Sequence, residues 1–317
     1  MKKILWAELF KYPFSRRKAD VPDKRPMKPC IKLVMTLVVR NEEKIIEQNI
    51  RFHCAMGADG FIVLDHNSTD GTGKILEKLR KEGLVLEVIK ETCPEHRLSV
   101  WVNRMVQLAR DKYQADWVIN ADADEFYYSK SLNLKESILK VSCANLLTVE
   151  SFLFFPDGRL DFLNCPYFVT RLMQVFETEQ LGIGRNPLYS EVTVPVSCTK
   201  VIHNTCDFIH VDDGNHNAHM RNEVKVSSAD INLYHYRIQN FQGYMDRVMR
   251  HLESGPLKPD GVSGHIKNLI SVYKSGKSGE DYDMRYGTGM RNFLMEQGVV
   301  TIDPSVRNFL KYKNIAV

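Results

Sequence analysis

The sequence has no long hydrophobic run and no strong excess of charge. The N-terminal apolar run from Ile4 to Ala7 stops at Glu8, whereas a signal core needs about 7 to 15 apolar residues and a membrane span about 20. The 43 basic and 39 acidic residues leave a net charge of only +4, too little for the strong positive field of a nucleic-acid-binding protein. We therefore expect a cytoplasmic protein without a nucleic-acid partner.

Paired cysteines, repeats and low-complexity tracts are also missing. The seven cysteines are an odd number, widely spaced, and form no CxxC pair, which favours reduced thiols over a disulfide scaffold. A hydrophobic content of 44% with 18 glycines and 12 prolines among 317 residues is that of an ordinary globular protein. Fibrous and disordered classes are excluded, and one sizeable catalytic domain is expected.

The first 30 residues are the one strongly basic segment, with nine Lys and Arg against three Asp and Glu. Aromatic and aliphatic residues lie between these charges, so residues 1–28 are a candidate for peripheral contact with an anionic membrane surface. The alternative is a solvated arm whose aromatic residues pack on the domain. Four prolines in this segment argue against a long amphipathic helix.

From residue 31, apolar strands alternate with amphipathic helices. Asn41 is the predicted N-cap of the first helix, and Gly83 is predicted to end the second. Such alternation predicts an α/β fold with a mainly parallel sheet flanked by helices on both faces. The predicted strands are 31–39, 60–64, 84–89 and 117–120.

Polar clusters follow three of these strands directly. Arg40-Asn41 follows the first strand, Asp65 to Asp70 the second, and Ala121 to Glu125 the fourth. The carboxyl ends of parallel strands meet at one edge of a sheet, which is where ligands bind in such folds. The three clusters are therefore expected to converge on one crevice.

The second half of the chain is less regular. We predict a strand at 146–155, at least one more within 192–202, and helices at 241–251, 266–273 and 290–296. This pattern predicts a basic arm at 1–30, a catalytic domain at 31–237 and a helical C-terminal region at 238–317.

Asp122 and Asp124 are the strongest chemical signal, because alternating carboxylates at a strand end can bind Mg²⁺ or Mn²⁺. Such a cation neutralises a departing diphosphate. Placement beside a second acidic loop in the same crevice favours this function over a solvated acidic loop.

Three segments in order, 39–43, 65–72 and 117–126, resemble successive motifs of family 2-like glycosyltransferases. The similarity extends to Trp101, Gly214-Asn-His216 and His235-Tyr236. It implies a GT-A fold, which is Rossmann-like, a nucleotide-sugar donor that is most often a UDP-sugar, and Mn²⁺ or Mg²⁺ as cofactor.

The resemblance also assigns site residues. Asp124 is the main metal ligand it implies, Asp122 lies near both ribose and metal, and His235 completes the metal or diphosphate site. His66 stands where many members carry a base-contacting acid. The remaining donor-site residues that the resemblance implies are Thr36, Arg40, Asp65 and His216.

Transfer to an acceptor hydroxyl needs a general base, for which Asp157 and Asp213 are the candidates. Each is also explained as an ordinary turn residue. Lys200 and Arg185 are candidates for stabilising the diphosphate. Inversion at the anomeric carbon is what the resemblance implies.

We therefore predict a glycosyltransferase that acts on a saccharide or lipid-linked saccharide in bacterial surface polysaccharide assembly. A nucleotidyltransferase is disfavoured because a glycine-rich phosphate loop is missing after the first strand. The alternatives that stay open are a non-catalytic nucleotide- or carbohydrate-binding module and a metal-dependent phosphohydrolase.

Overall fold

The computed structural model describes most of the chain from residue 30 to residue 316. The gaps between these limits are 94–96, 142, 159–161, 170–174, 178–190, 194–198, 255–263 and 297. The proposed membrane-contacting segment 1–28 and Arg185 therefore lie outside the described residues.

The first half alternates strand and helix as predicted. β1 pairs in parallel with β2 on one side and β4 on the other, and β3 extends the parallel sheet beyond β2. The elements are β1 (Leu33–Val39), α1 (Ile46–Ala55), β2 (Gly60–His66), α2 (Thr72–Lys81), β3 (Val85–Glu91), α3 (Leu98–Asp111) and β4 (Trp117–Asp122).

The two predicted helix boundaries have different outcomes. Gly83 has a φ of 81° and its N–H donates to the Arg80 carbonyl at 3.0 Å, so α2 ends there as predicted. The N-cap prediction for Asn41 is wrong, because α1 begins only at Ile46. Asn41 instead has a left-handed φ of 58° and joins two loops, as described below.

The following strands turn the parallel sheet into a mixed one. β10 lies antiparallel between β4 and β6, while β13 runs parallel to β6 and antiparallel to β5. The elements are β5 (Glu125–Ser129), α4 (Leu134–Leu139), β6 (Leu146–Phe154), β7 (Tyr167–Val169), β8 (Val175–Glu177), β9 (Glu191–Thr193), β10 (Lys200–Asn204), β11 (Phe208–Val211), β12 (Ala218–Met220) and β13 (Lys225–His235).

In its described parts, the C-terminal region is helical as predicted and contains one strand, β14, that pairs antiparallel with β7. Within the described residues, no helix is long and apolar enough to cross a membrane. The elements are α5 (Phe241–Ser254), α6 (Gly264–Lys274), α7 (Ser278–Tyr286), α8 (Thr288–Glu296), β14 (Val300–Ile302) and α9 (Ser305–Tyr312).

Two hydrophobic layers cover the sheet, and alternate residues of β1 face them. Met35 belongs to the layer formed with Phe52 of α1, where the Phe52 and Phe309 rings are 5.1 Å apart. Val34 faces the opposite layer, with Trp101 of α3. This period of two confirms that helices cover both faces of the sheet.

Candidate active site

Two loops at the carboxyl ends of β1 and β2 are joined by hydrogen bonds between their polar residues. Asn41 donates its N–H to Ser68 Oγ at 3.0 Å and accepts the Thr69 N–H on Oδ1 at 2.7 Å. The Glu43 carboxylate accepts the Gly71 N–H at 2.6 Å. The motif segments 39–43 and 65–72 therefore fix each other's loop conformation at the edge of the crevice.

The two alternating aspartates lie at the junction of β4 and β5, where Asp122 ends β4 and Asp124 lies in the turn to β5. Asn49 of α1, fully buried, donates from Nδ2 to the Ala123 carbonyl at 2.9 Å and to the Glu125 carbonyl at 2.8 Å. Glu125 accepts the Asp122 N–H on Oε2 at 3.1 Å. The backbone of this turn is thus fixed from below, while Asp122 and Asp124 extend from it.

Lys200, the first residue of β10, lies next to this acidic turn because β10 pairs directly with β4. Its Nζ lies 3.0 Å from Glu125 Oε1 and 3.6 Å from Asp122 Oδ2, and it donates to the Gly214 carbonyl at 2.7 Å. Burial opposes the ammonium charge, but the carboxylates of Glu125 and Asp122 outweigh burial and raise the pKa of Lys200. Lys200 is therefore a fixed cation at the site.

His235 ends β13 opposite Glu125 in the strand register. Its Nε2 lies 3.4 Å from Asp124 Oδ2. Burial opposes ionisation of Asp124, but His235 and Lys200 outweigh it and lower the pKa of Asp124 to about 2. The same contact raises the pKa of His235 against the effect of burial.

Glu42 and two arginines of α5, none of them predicted as site residues, also lie close enough to the acidic turn to interact with its charges. Burial, followed by the charge of Asp124, raises the pKa of Glu42 to about 8, and Arg250 of α5 acts in the opposite direction. Burial and the nearby Arg237 and Arg250 lower the pKa of Arg247 to about 10. Helix α5 therefore brings two arginines, Arg247 and Arg250, toward the carboxylates.

The predicted donor-site residues lie at different depths. Asp65 is the penultimate residue of β2 and accepts the Ser68 N–H at 3.1 Å, while Arg40 is exposed just after β1. His66 is buried, donates from Nε2 to the Cys93 carbonyl at 2.8 Å, and its ring lies 4.7 Å from that of Trp101. Thr36 is buried in mid-strand and donates to Asn120 at 2.6 Å.

The predicted residues His216 and Asp157 contact residues outside the acidic turn. His216 is exposed, and its Nδ1 lies 3.1 Å from the Thr199 carbonyl oxygen. Asp157 is buried in an ion pair with Arg291 of α8. Asp213 belongs by its backbone to a short 3₁₀ turn, but its side chain lies outside the described part of the chain. The base assignments stay predictions.

The side-chain atoms of the site fit the ligand set of a divalent cation in part. Asp124 and His235 converge, and their oxygen and nitrogen donors suit Mn²⁺, whereas Asp122 lies beside Lys200. Within the described residues, the one group of three His, Cys, Asp or Glu ligands within 4.8 Å of one another lies on the hairpin of β11 and β12. A cation at Asp124 and His235 would therefore need water, a bound molecule or a movement of Asp122 to complete its ligands.

Three features of the site were not predicted from the sequence: Glu42 near Asp122 and Asp124, Asn49 beneath the turn, and the arginines of α5. Asn49 has a local signal, because it is a polar residue on the same helix face as the apolar Ile46 and Ile50. Glu42 and the arginines have none, because their meeting depends on long-range packing.

The sequence model of glycosyltransferase family 92 matches residues 34–258, which contain every part of this crevice. The chain belongs to glycosyltransferase family 92. The predicted glycosyltransferase class is thereby confirmed, while the finer resemblance to family 2-like enzymes is not. A search of curated proteins finds no match to this family 92 member.

Solved structures similar to this family 92 chain include two bacterial proteins. S. aureus TarS 1-349 in complex with UDP-GlcNAc is 14% identical, covering 89% of this chain and 80% of that one, with a TM-score of 0.41. Glucosyl-3-phosphoglycerate synthase from Mycobacterium tuberculosis, in complex with Mn²⁺, UDP and glucosyl-3-phosphoglycerate, is 18% identical. It covers 55% of this chain and 57% of that one, with a TM-score of 0.29.

Proposed function

We propose that this family 92 glycosyltransferase transfers a sugar from a nucleotide-sugar donor, a UDP-sugar in the first instance, to a saccharide or lipid-linked saccharide. The observation that carries the proposal is that Lys200 and His235 both reach the acidic turn between β4 and β5, where Asp124 lies. Carboxylates that bind a cation and fixed cations that bind phosphate are the two needs of a diphosphate site.

A divalent cation, Mn²⁺ or Mg²⁺, fits the site through Asp124 and His235, with Asp122 as the third predicted ligand. When bound, it neutralises charge on the departing diphosphate. His235 must give up its proton to serve as a ligand, so the proposal requires the cation to replace that proton beside Asp124. Metal affinity is then expected to increase with pH.

The chain's own cations complete the charge balance. Lys200 is held by Glu125 and the Gly214 carbonyl, and Arg247 and Arg250 add positive charge from α5. In the inverting reaction proposed here, the acceptor oxygen forms a bond to the anomeric carbon as the bond to the diphosphate breaks. The acceptor proton passes to a carboxylate, for which Asp157 and Asp213 are the proposed candidates.

The proposed setting is bacterial surface polysaccharide assembly at the cytoplasmic face of a membrane. The basic and aromatic composition of residues 1–28 supports peripheral contact. Flotation with anionic liposomes is expected to carry the full chain but not a chain that lacks these residues. Equal flotation of both proteins would contradict this setting without affecting the proposed chemistry.

The experiment that tests the function measures thermal stabilisation by UDP, GDP, CDP and UDP-sugars, with and without Mn²⁺, followed by nucleotide release with saccharide acceptors. A ligand that binds only the folded state raises the melting temperature. We expect a manganese-dependent shift with one nucleotide in the wild type. Asp124→Asn should abolish the shift, and Glu280→Gln, which alters an exposed carboxylate, should retain it.

The two open alternatives predict different results in the same experiment. A binding module shows the shift but releases no nucleotide with any acceptor. A phosphohydrolase releases phosphate from nucleotides at the same rate with or without an acceptor. The absence of a shift with every nucleotide would contradict the proposed donor site.

A further inference from the structure

The hairpin of β11 and β12 carries a second cluster of metal-ligating side chains, distinct from Asp122, Asp124 and His235. His210 and His219 lie opposite each other in the strand register, and their imidazole rings stack at 4.0 Å with an angle of 12°. Asp212 lies between their ring nitrogens. Its Oδ1 is 3.1 Å from His219 Nε2 and 3.5 Å from His210 Nε2.

These spacings match those between neighbouring ligands of a tetrahedral zinc ion. Ligands at about 2.0 to 2.1 Å from such an ion are separated from each other by roughly 3.3 Å. The two histidine-to-aspartate distances fall on either side of that value, and one ligand atom of each residue lies within 4.8 Å of the others. The three ligand atoms are therefore close enough to bind one ion once the stacked imidazole rings rotate about their side-chain torsions to direct both Nε2 lone pairs to it.

The scaffold behind the cluster is ordered by other contacts. Asn103 of α3 accepts the Val211 N–H on Oδ1 at 2.9 Å, and the Asp212 N–H donates to the Asn217 carbonyl at 3.1 Å. The side chains of His210, Asp212 and His219 are 45% to 49% exposed. An ion can enter from solvent, and water can take a fourth position.

Hydrogen bonding alone accounts less well for this arrangement. His219 Nε2 hydrogen-bonds to the Asp212 carboxylate, whereas His210 Nε2 lies 3.5 Å from Oδ1 and its ring stacks on that of His219. A cation bound between the two imidazoles and the carboxylate would use all three side chains, because imidazole binds a metal through a ring nitrogen. Two imidazoles and one carboxylate favour Zn²⁺ or a similar transition ion over Mg²⁺.

We propose that His210, Asp212 and His219 form a transition-metal site, with Zn²⁺ as its first candidate ion. The site would tie the two strands together at the base of the 212–217 loop. That loop contains the Gly214 carbonyl that accepts from Lys200 at 2.7 Å. An ion here would therefore limit movement of the loop that holds the cation of the candidate active site.

The test begins with metal-free full-length protein and titration with Co²⁺, whose visible spectrum reports coordination geometry, followed by competition with Zn²⁺. The wild type and Asp124→Asn should give the same tetrahedral Co²⁺ spectrum and the same Zn²⁺ affinity. His210→Ala/His219→Ala should lose the spectrum, and Asp212→Asn should weaken Zn²⁺ binding by at least about tenfold. Cys206→Ser, at an exposed cysteine nearby, should bind as the wild type does.

A second measurement does not depend on the folding of a variant. In wild-type protein labelled with ¹⁵N-histidine, Zn²⁺ should shift the Nε2 signals of two histidines, and Asp124→Asn should leave those shifts unchanged. The proposal is overturned if the double histidine variant, folded by circular dichroism, binds Co²⁺ as the wild type does. Loss of the Zn²⁺-induced shifts in Asp124→Asn would overturn it as well.

Discussion

Lys200 provides the positive charge that compensates the carboxylates of Glu125 and Asp122 in the crevice. It is 5% exposed and lies 3.0 Å from Glu125 Oε1, whose side chain is fully buried. Replacing one member of a buried ion pair leaves the other charge without compensation, which costs about 3 to 5 kcal/mol. The pair therefore couples the stability of the fold to the shape of the acidic turn.

We expect Lys200→Met to lower the free energy of unfolding by about 3 kcal/mol, because Glu125 would keep a buried charge. Lys200→Met/Glu125→Gln should recover part of that loss. Urea denaturation of the two single variants, the double variant and the wild type measures the coupling. Additive losses in the double variant would show that the two side chains do not depend on each other.

Two buried histidines give the protein a specific acid sensitivity. His53 accepts the Tyr127 N–H on Nε2 at 2.9 Å and donates from Nδ1 to the Asn49 carbonyl at 2.9 Å. Burial lowers the pKa of His53 to about 3 and that of His203 to about 4. Both imidazoles are therefore neutral in the folded protein at pH 7.

Because the folded pKa of His53 lies below the unfolded value of about 6.5, its stabilising contribution is present above pH 6.5. It is lost progressively as the pH falls toward the folded pKa. We expect His53→Gln, whose amide oxygen can accept the Tyr127 N–H, to reduce the slope of unfolding free energy between pH 6 and 5. The reduction should approach about 1.4 kcal/mol per pH unit. Urea denaturation at several pH values measures this dependence. The same change of unfolding free energy with pH in the wild type and in His53→Gln would contradict the expectation.

Helix α1 supports the acidic turn through the side chain of Asn49. Asn49 is fully buried and donates to two carbonyls of the turn. We expect Asn49→Leu to lower the free energy of unfolding by about 2 kcal/mol or more, because both carbonyls lose their donor. It should also weaken Mn²⁺-dependent nucleotide binding, since the turn that carries Asp122 and Asp124 would shift.

The adjacent Gln48 provides the control for this prediction. Its Oε1 has no hydrogen-bond donor among the described residues, so Gln48→Leu should change stability and nucleotide binding far less. Thermal unfolding with and without UDP and Mn²⁺ measures both effects. Equal behaviour of the Asn49 and Gln48 variants would mean that the turn does not depend on α1.

The elements that the sequence predicted well are those with local signals. β1 to β4 and α1 to α3 follow apolar periodicity, and Gly83 ends α2 through a backbone conformation that glycine favours. The error at Asn41 has a tertiary cause. Its side chain joins the β2–α2 loop instead of capping α1, and only the packed loops determine that choice.

The site was predictable where one segment contains it and unpredictable where distant segments meet. Asp122 ends β4 and Asp124 follows it directly, so their placement was expected from local sequence. Lys200 reaches them only because β10 inserts antiparallel between β4 and β6. The arginines of α5 arrive from still farther along the chain, and periodicity contains no information on such contacts.

The C-terminal helices are attached to the sheet through a buried ion pair. Asp157, in the turn after β6, pairs with Arg291 of α8, and the Arg291 guanidinium lies 4.6 Å from the centre of the Tyr167 ring. Asp157 is also one of the proposed general bases. The Asp157 carboxylate therefore has two possible roles: it stabilises the fold through Arg291, or it takes a proton from the acceptor.

We expect Asp157→Asn to destabilise the protein by about 3 kcal/mol, because Arg291 would be left buried without a counter-charge. Asp157→Asn/Arg291→Met should recover stability, since neither buried charge then remains. Thermal unfolding and nucleotide release, measured on the same preparations, separate the two roles. A structural ion pair predicts that activity at low temperature recovers with stability in the double variant. A general base predicts that kcat stays low in the double variant even though its melting temperature returns toward that of the wild type.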